Sequence, residues 1–250
     1  MKNLTILLTV ALLFTFTPLT WSEHEEWSQI LKTYVQDGRV QYKKLHETWK
    51  NENHILKIYL KKLDSYSKKE VEAWNKNDQM AFYINAYNAY TIALILDHYP
   101  VKSIKDIGTV LKSPWDLDIV HLFKENHTLN WIEHEVLRPV FKDPRVHAAV
   151  NCASKSCPKL QSQAFMGDTL SNQLDSALKE FIADTSKNQF DTQNNFAKFS
   201  KIFKWYGDDF SPSVPQFLVS FAPTDGVKKL LKDKDLKIDY LDYDWSLNGE

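Results

Sequence analysis

The chain has two cysteines, Cys152 and Cys157, and both lie in Asp143-Pro-Arg-Val-His-Ala-Ala-Val-Asn-Cys-Ala-Ser-Lys-Ser-Cys-Pro158, beside His147 and Asn151. A thiolate becomes a nucleophile when a base lies within hydrogen-bond reach and a third group orients that base. Arg145 to Val150 read as a short strand of small residues, with Val146, Ala148, Ala149 and Val150. Five residues of strand span about 16 Å, so His147 on that strand is too far from Cys152 to act as its base. His134, carried on a separate helix, can meet Cys152 without that conflict. An amide can hold the imidazole, as in Cys-His-Asn sites, and Asn85 is the candidate. Cys152, His134 and Asn85 thus form the expected catalytic set, with Asn88, Arg138, His147 and Asn151 as binding residues around it.

The same cysteines admit a second reading, a Cys152–Cys157 disulfide. Closing so short a loop stabilises a fold by only about 2 kcal/mol. A reducible disulfide can still hide a working thiol, so the two readings stand side by side. Metal chemistry is not expected. His134-Glu-Val-Leu-Arg138 opens like a zincin helix but has Arg where the second histidine belongs. No second cysteine pair completes a thiolate zinc site. With no phosphate-cradling glycine loop and no Gly-x-Ser-x-Gly elbow, neither nucleotide chemistry nor serine hydrolysis is supported, and no cofactor is expected.

Two helices must position these groups. Met80 to His98 is apolar on every side of its wheel, the pattern of a buried central helix. Asn85 and Asn88 interrupt it on the face of Ile92 and Ile95. A buried amide without partners costs about 1–3 kcal/mol, so each must bind either neighbouring backbone or the site. A second helix should run from Asn130 to about Phe141, with Glu133 at the capping-box position. Ile132, Val136, Leu137, Val140 and Phe141 form its apolar face, and His134 and Arg138 flank it, one turn apart. Further helices are expected at 24–36, 53–63, 67–74, 169–183 and 213–222, the third with a Ser67/Glu70 capping box. Short strands are expected at 40–42, 119–123 and 238–245. Helix outweighs strand and no βαβ rhythm appears. The fold class is therefore α+β, a mostly helical single domain with a small sheet around a buried central helix.

Over 250 residues, 43% are hydrophobic and 25% charged, ordinary for a globular domain, and a net charge of -1 with no basic stripe speaks against nucleic acid. Lys2 followed by the uncharged run Leu4–Thr20 is the pattern of a secretory signal, cleaved after Ser22. A retained anchor is the alternative, since the run is about as long as the shortest membrane span. Residues 23–250 would then be one globular domain with no membrane span, exported to the periplasm or secreted. Oxidising compartments favour cysteine pairing.

Four motifs also carry a resemblance: Phe82-Tyr-Ile-Asn-Ala-Tyr-Asn88, Ile132-Glu-His-Glu-Val-Leu-Arg138, His147-Ala-Ala-Val-Asn-Cys-Ala-Ser-Lys-Ser-Cys-Pro158 and Tyr243-Asp-Trp-Ser-Leu-Asn248. In this order they resemble the domain-of-unknown-function family 547, over nearly all of the mature chain. The resemblance implies a bacterial exported member; similar domains end plant leucine-zipper proteins. It implies no particular chemistry. Two functions are carried forward: a thiol-dependent hydrolase or acyltransferase acting on a small molecule or peptide, and a non-catalytic envelope binding or assembly module with a structural disulfide.

Overall fold

In the computed structural model, residues 24–249 are described, and the expected leader over residues 1–22 lies outside them. The chain starts with α1 (Glu25–Tyr34), which buries Trp27, Ile30 and Leu31 at helical spacing. The hairpin β1 (Val35–Gln36) and β2 (Arg39–Val40) turns through Asp37 and Gly38, both with left-handed φ, 49° and 76°. Three helices follow: α2 (Tyr42–His46), α3 (Ile55–Ser65) and α4 (Lys68–Ala73). The last opens on the expected capping box, with Ser67 and Glu70 bonding each other's backbone.

At the centre lies α5 (Lys76–His98), started by Asn75, whose side chain accepts from the N–H of Asn77 and Asp78. Every residue from Gln79 to Leu96 is buried, as its all-round apolar wheel requires. It packs against α2, α3 and a helix over Trp131–Phe141. Between them is the hairpin β3 (Val120–Leu122) and β4 (Glu125–His127).

The helix Trp131–Phe141 departs from expectation in two ways. Its winding is π, with Pro139 inside; in an α-winding that ring would meet the carbonyl of residue 135. Asn130 makes no capping bond, because Thr128 Oγ1 already takes the N–H of Trp131 at 2.9 Å. Glu133 is therefore not a capping residue, and its side chain is buried.

The strand expected over 145–150 is instead a 3-10 turn, Pro144–Ala148. Asp143 accepts the N–H of Arg145 at 3.0 Å, and proline occupies the first helical position. The Arg145 guanidinium clamps the turn between Asp143 and Asp175, each at 2.6 Å. Asp175 belongs to α6 (Leu170–Ala183), so this network fixes the turn against the next helix.

After α6 come β5 (Gln189–Asp191), β6 (Phe196–Phe199), α7 (Lys201–Trp205), α8 (Val214–Leu218), α9 (Asp225–Leu231) and β7 (Lys237–Tyr240). The sheet has the order β5-β6-β7, antiparallel then parallel. The last strand stops at Tyr240 rather than reaching 245. Beyond it the tail runs along the cysteine loop: Lys155 N–H donates to Ser246 O at 2.8 Å, and Asn248 N–H to Ala153 O at 2.9 Å. The architecture is α+β and mostly helical, as expected. No helix among the described residues is long and apolar enough to cross a membrane.

Two apolar clusters meet along α6. Leu170 and Leu174 join the cluster around α5; Ala177, Leu178, Phe181 and Ile182 join one formed with β6 and α7. The cysteine loop lies at this seam.

Candidate functional site

A cavity of about 240 Å³ opens at the seam, and Cys152, Cys157, Glu133, His134 and His147 all line it. Its remaining wall is mostly aromatic, including Tyr87, Trp115, Trp205, Tyr206, Tyr243 and Trp245. A small, mostly apolar cleft with a few convergent polar groups is the usual form of a small-molecule site. A larger hollow of about 730 Å³ lies on the other side of the cysteine loop. Part of its charge is matched within the chain: Lys159 pairs with Asp37 and Glu180, and Lys187 with Asp184.

Cys152 and Cys157 are joined as a disulfide, with Cα atoms 6.4 Å apart. Tyr243 Oη lies 3.3 Å from Cys152 Sγ and 3.2 Å from Cys157 Sγ, and Ser154 Oγ lies 3.4 Å from Cys152 Sγ. No histidine nitrogen is among the described hydrogen-bond partners of either sulfur. The loop is held from below by amides. Asn88 donates to Ala149 O at 2.9 Å and accepts from Asn151 N–H at 2.8 Å. Asn151 in turn donates to Pro158 O at 2.7 Å and accepts from Ala153 N–H and Asn248 Nδ2. Ala153, beside Cys152, sits at φ 59°, a left-handed conformation that this grip sustains. Asn88 and Asn151 therefore shape the loop through backbone contacts.

Asn85 does not reach an imidazole. Its amide donates to Phe165 O at 2.8 Å and accepts from Phe165 N–H at 3.0 Å, which uses both ends on one backbone unit. The orienting group is elsewhere. Asp209, in the turn after α7, accepts from His147 Nε2 at 2.7 Å and from Arg138 through Nε at 2.6 Å and Nη2 at 3.0 Å. Burial pushes the Asp209 carboxyl up, but the bonds from Arg138 and His147 outweigh it and hold it below the usual carboxylate range. Burial lowers the pKa of His147, against the pull of Asp209.

A carboxylate only accepts, so His147 carries its proton on Nε2 and presents Nδ1 as a bare lone pair. That atom has no partner among the described hydrogen bonds, yet it is not sealed off. The sealed, unpartnered side-chain atoms among the described residues are Trp27 Nε1 and His127 Nε2. The ring is fixed by Tyr206, stacked on it with centroids 4.1 Å apart.

His134 has the same tautomer, but its lone pair is engaged. Arg138 Nη1 lies 3.0 Å from its Nδ1. A guanidinium only donates, so Nδ1 is the acceptor and Nε2 carries the proton. The bare lone pair of His134 is occupied, while that of His147 is open. The 16 Å objection to His147 falls with the strand, because the turn brings it and Cys152 to one cavity.

Glu133 is buried to 5% exposure and lines the same cavity. The phenols of Tyr87 and Tyr206 feel its charge, and burial raises the pKa of both, so they remain neutral. Sequence reasoning missed Asp209, Tyr206 and the aromatic wall. The motif Tyr243-Asp-Trp was visible, but nothing in the run Trp205-Tyr-Gly-Asp-Asp209 distinguishes it from an ordinary turn.

A family model described as "Protein of unknown function, DUF547" matches residues 71–182. The match holds the cysteine loop, His134, Arg138 and His147, and leaves out Asp209 and Tyr243. No curated protein and no solved structure matches the chain. Over residues 71–182, the stretch that holds three of the four motifs, the chain is thus similar to the DUF547 family.

Proposed function

We propose that this protein is a thiol-dependent acyl-transfer enzyme, a hydrolase or acyltransferase, with Cys152 as nucleophile and His147 as base. The observation that carries this reading is the His147–Asp209 bond of 2.7 Å, which leaves Nδ1 as the free lone pair of a ring that lines one cavity with Cys152. A base oriented by a carboxylate or amide beside a thiol is the arrangement nucleophilic catalysis uses. In an oxidising compartment, to which the leader would direct the chain, the disulfide is the resting form. A dithiol reductant opens it, delivering two electrons and two protons and becoming a disulfide itself. The thiol proton passes to His147 Nδ1, with the hydroxyls of Tyr243 and Ser154 placed to donate to the thiolate. Cys152 Sγ then attacks a carbonyl carbon, His147 returns the proton to the leaving group, and the thioester is released to water or another acceptor. His134, with its proton on Nε2, is a donor into the cavity rather than the base.

The second reading is a non-catalytic envelope binding or assembly module. It is favoured by the closed disulfide and by the tail strapped along the cysteine loop. The two separate on incubation of reduced protein with an activated ester, followed by mass spectrometry. Acyl transfer predicts a stoichiometric adduct on Cys152, absent from Cys152→Ser and from the oxidised protein. No adduct on the reduced protein, or equal turnover by Cys152→Ser, would leave the module.

A further inference from the structure

A buried carboxylate is ordinarily paired, because an isolated charge is costly away from water. Glu133 has phenol neighbours, Tyr87 and Tyr206, but no ion pair among the described residues. Arg138, whose field reaches it, is held by Asp209 instead. The rings that line the cavity with Glu133 make a wall of a particular kind. Trp205 contacts Tyr243 at 4.8 Å and Trp245 at 5.8 Å between centroids, and Trp115 meets Trp245 at 5.6 Å. Aromatic faces are electron-rich and attract cations, most strongly for tryptophan and most of all where water is excluded.

Not every ring is free for this. Tyr206 is covered by His147 and by the Arg138 guanidinium, 5.0 Å from its centroid. The rim tryptophans are more open, and Trp205 is 46% exposed. The chain itself already places an ammonium there, with Lys105 Nζ 4.9 Å from the centroid of Trp245.

We infer that this cavity is a binding site for an organic ammonium ion, with Glu133 supplying the charge and Trp115, Trp205, Tyr243 and Trp245 the π faces. Its volume, about 240 Å³, is below the roughly 300–1,000 Å³ of drug-sized sites. The occupant is therefore one end of a molecule: a primary alkylammonium such as a lysine side chain, or a quaternary one. The lining suits an organic cation rather than a hard metal ion: beside the π faces it offers one carboxylate and two imidazoles already engaged by Arg138 and Asp209, whereas hard cations demand six or more oxygens. As the recognition end of an acyl-transfer substrate the ammonium rests on the thiol reading; its binding does not, since the cavity exists with the disulfide closed.

The test uses the oxidised protein and tryptophan fluorescence backed by calorimetry. The probes are n-butylammonium and choline, against the neutral isosteres 1-butanol and 3,3-dimethylbutan-1-ol. At least one cation should bind tenfold or more tighter than its neutral counterpart, and Glu133→Gln should abolish that preference. Trp205→Leu, at a half-exposed position, should weaken the cation several-fold with the fold intact, and it stands in should Glu133→Gln fail to fold. Butylammonium ahead of choline would assign the primary form, and the reverse the quaternary form. No binding of either cation, equal binding of the neutral isosteres, or a preference that survives both substitutions would overturn the inference. Failure here with a Cys152 adduct intact would remove the ammonium site and leave the thiol chemistry standing.

Discussion

His147 Nε2 lies 2.7 Å from Oδ2 of Asp209, across 62 residues of chain, and this one bond sets the tautomer of a ring that shares a cavity with the cysteines. The same carboxylate holds Arg138, and Arg138 occupies the lone pair of His134. One carboxylate therefore decides which of two histidines is free to take a proton.

Asp209→Asn keeps the volume and removes the charge. Its amide can face either partner with a donor, so His147 can adopt the wrong tautomer and Arg138 loses its counter-charge. We expect acyl transfer to fall by about 10²–10⁴, the range carried by an oriented acid–base group. The stability cost should be about 1–3 kcal/mol by urea unfolding, the range for a lost partner of buried polar groups. Full activity in this variant would remove Asp209 from the site.

The buried histidines make stability depend on pH. Burial lowers His24 from 6.5 to about 3, with Lys62 adding to it, and lowers His147 in the same direction. Between 6.5 and these folded values the unfolded chain binds more protons than the native one. Stability is then full above the unfolded value and is lost as pH falls below it. Chemical denaturation at pH 7.5, 6 and 4.5 should show a falling midpoint, and His24→Gln should flatten that slope. Asp209, held below the carboxylate range, adds a loss only at lower pH. A midpoint constant from pH 7.5 to 4.5 would contradict the burial of both rings.

The two amides of α5 should behave differently. Each bonds backbone at both ends, so Asn85→Ala and Asn88→Ala should each cost about 1–3 kcal/mol. Asn88 grips the cysteine loop and Asn85 grips Phe165. Only Asn88→Ala should therefore also speed reduction of the disulfide by a mild dithiol. Equal rates in the two variants would detach Asn88 from the loop.

The central helix was legible in the sequence because burial on all sides leaves no amphipathic signal to misread. Cys152 and its loop were legible from residue type alone. The base was not. Small residues Val146, Ala148 and Ala149 suit a strand, and only Asp143, Pro144 and the Arg145 clamp to Asp175 on a later helix turn them into a 3-10 bend. Asp209 is brought in from 62 residues away, a distance no local periodicity reports. Glu133 fitted a capping box in spacing, but Thr128 had already satisfied the donor.

The protein as isolated should show no free thiol, and reduction should release two, since Cys152 and Cys157 are paired. The central claim is then tested on that reduced form, by the rates at which iodoacetamide modifies each cysteine at pH 7, resolved by peptide mass spectrometry. Cys152 should react faster than Cys157, because His147 as its base favours the Cys152 thiolate, whereas the hydroxyls of Tyr243 and Ser154 lie beside both sulfurs and favour neither. His147→Gln should abolish that lead, while His134→Gln, whose lone pair is already taken by Arg138, should leave most of it. Equal rates for the two cysteines, or a lead that survives His147→Gln and vanishes in His134→Gln, would contradict His147 as the base.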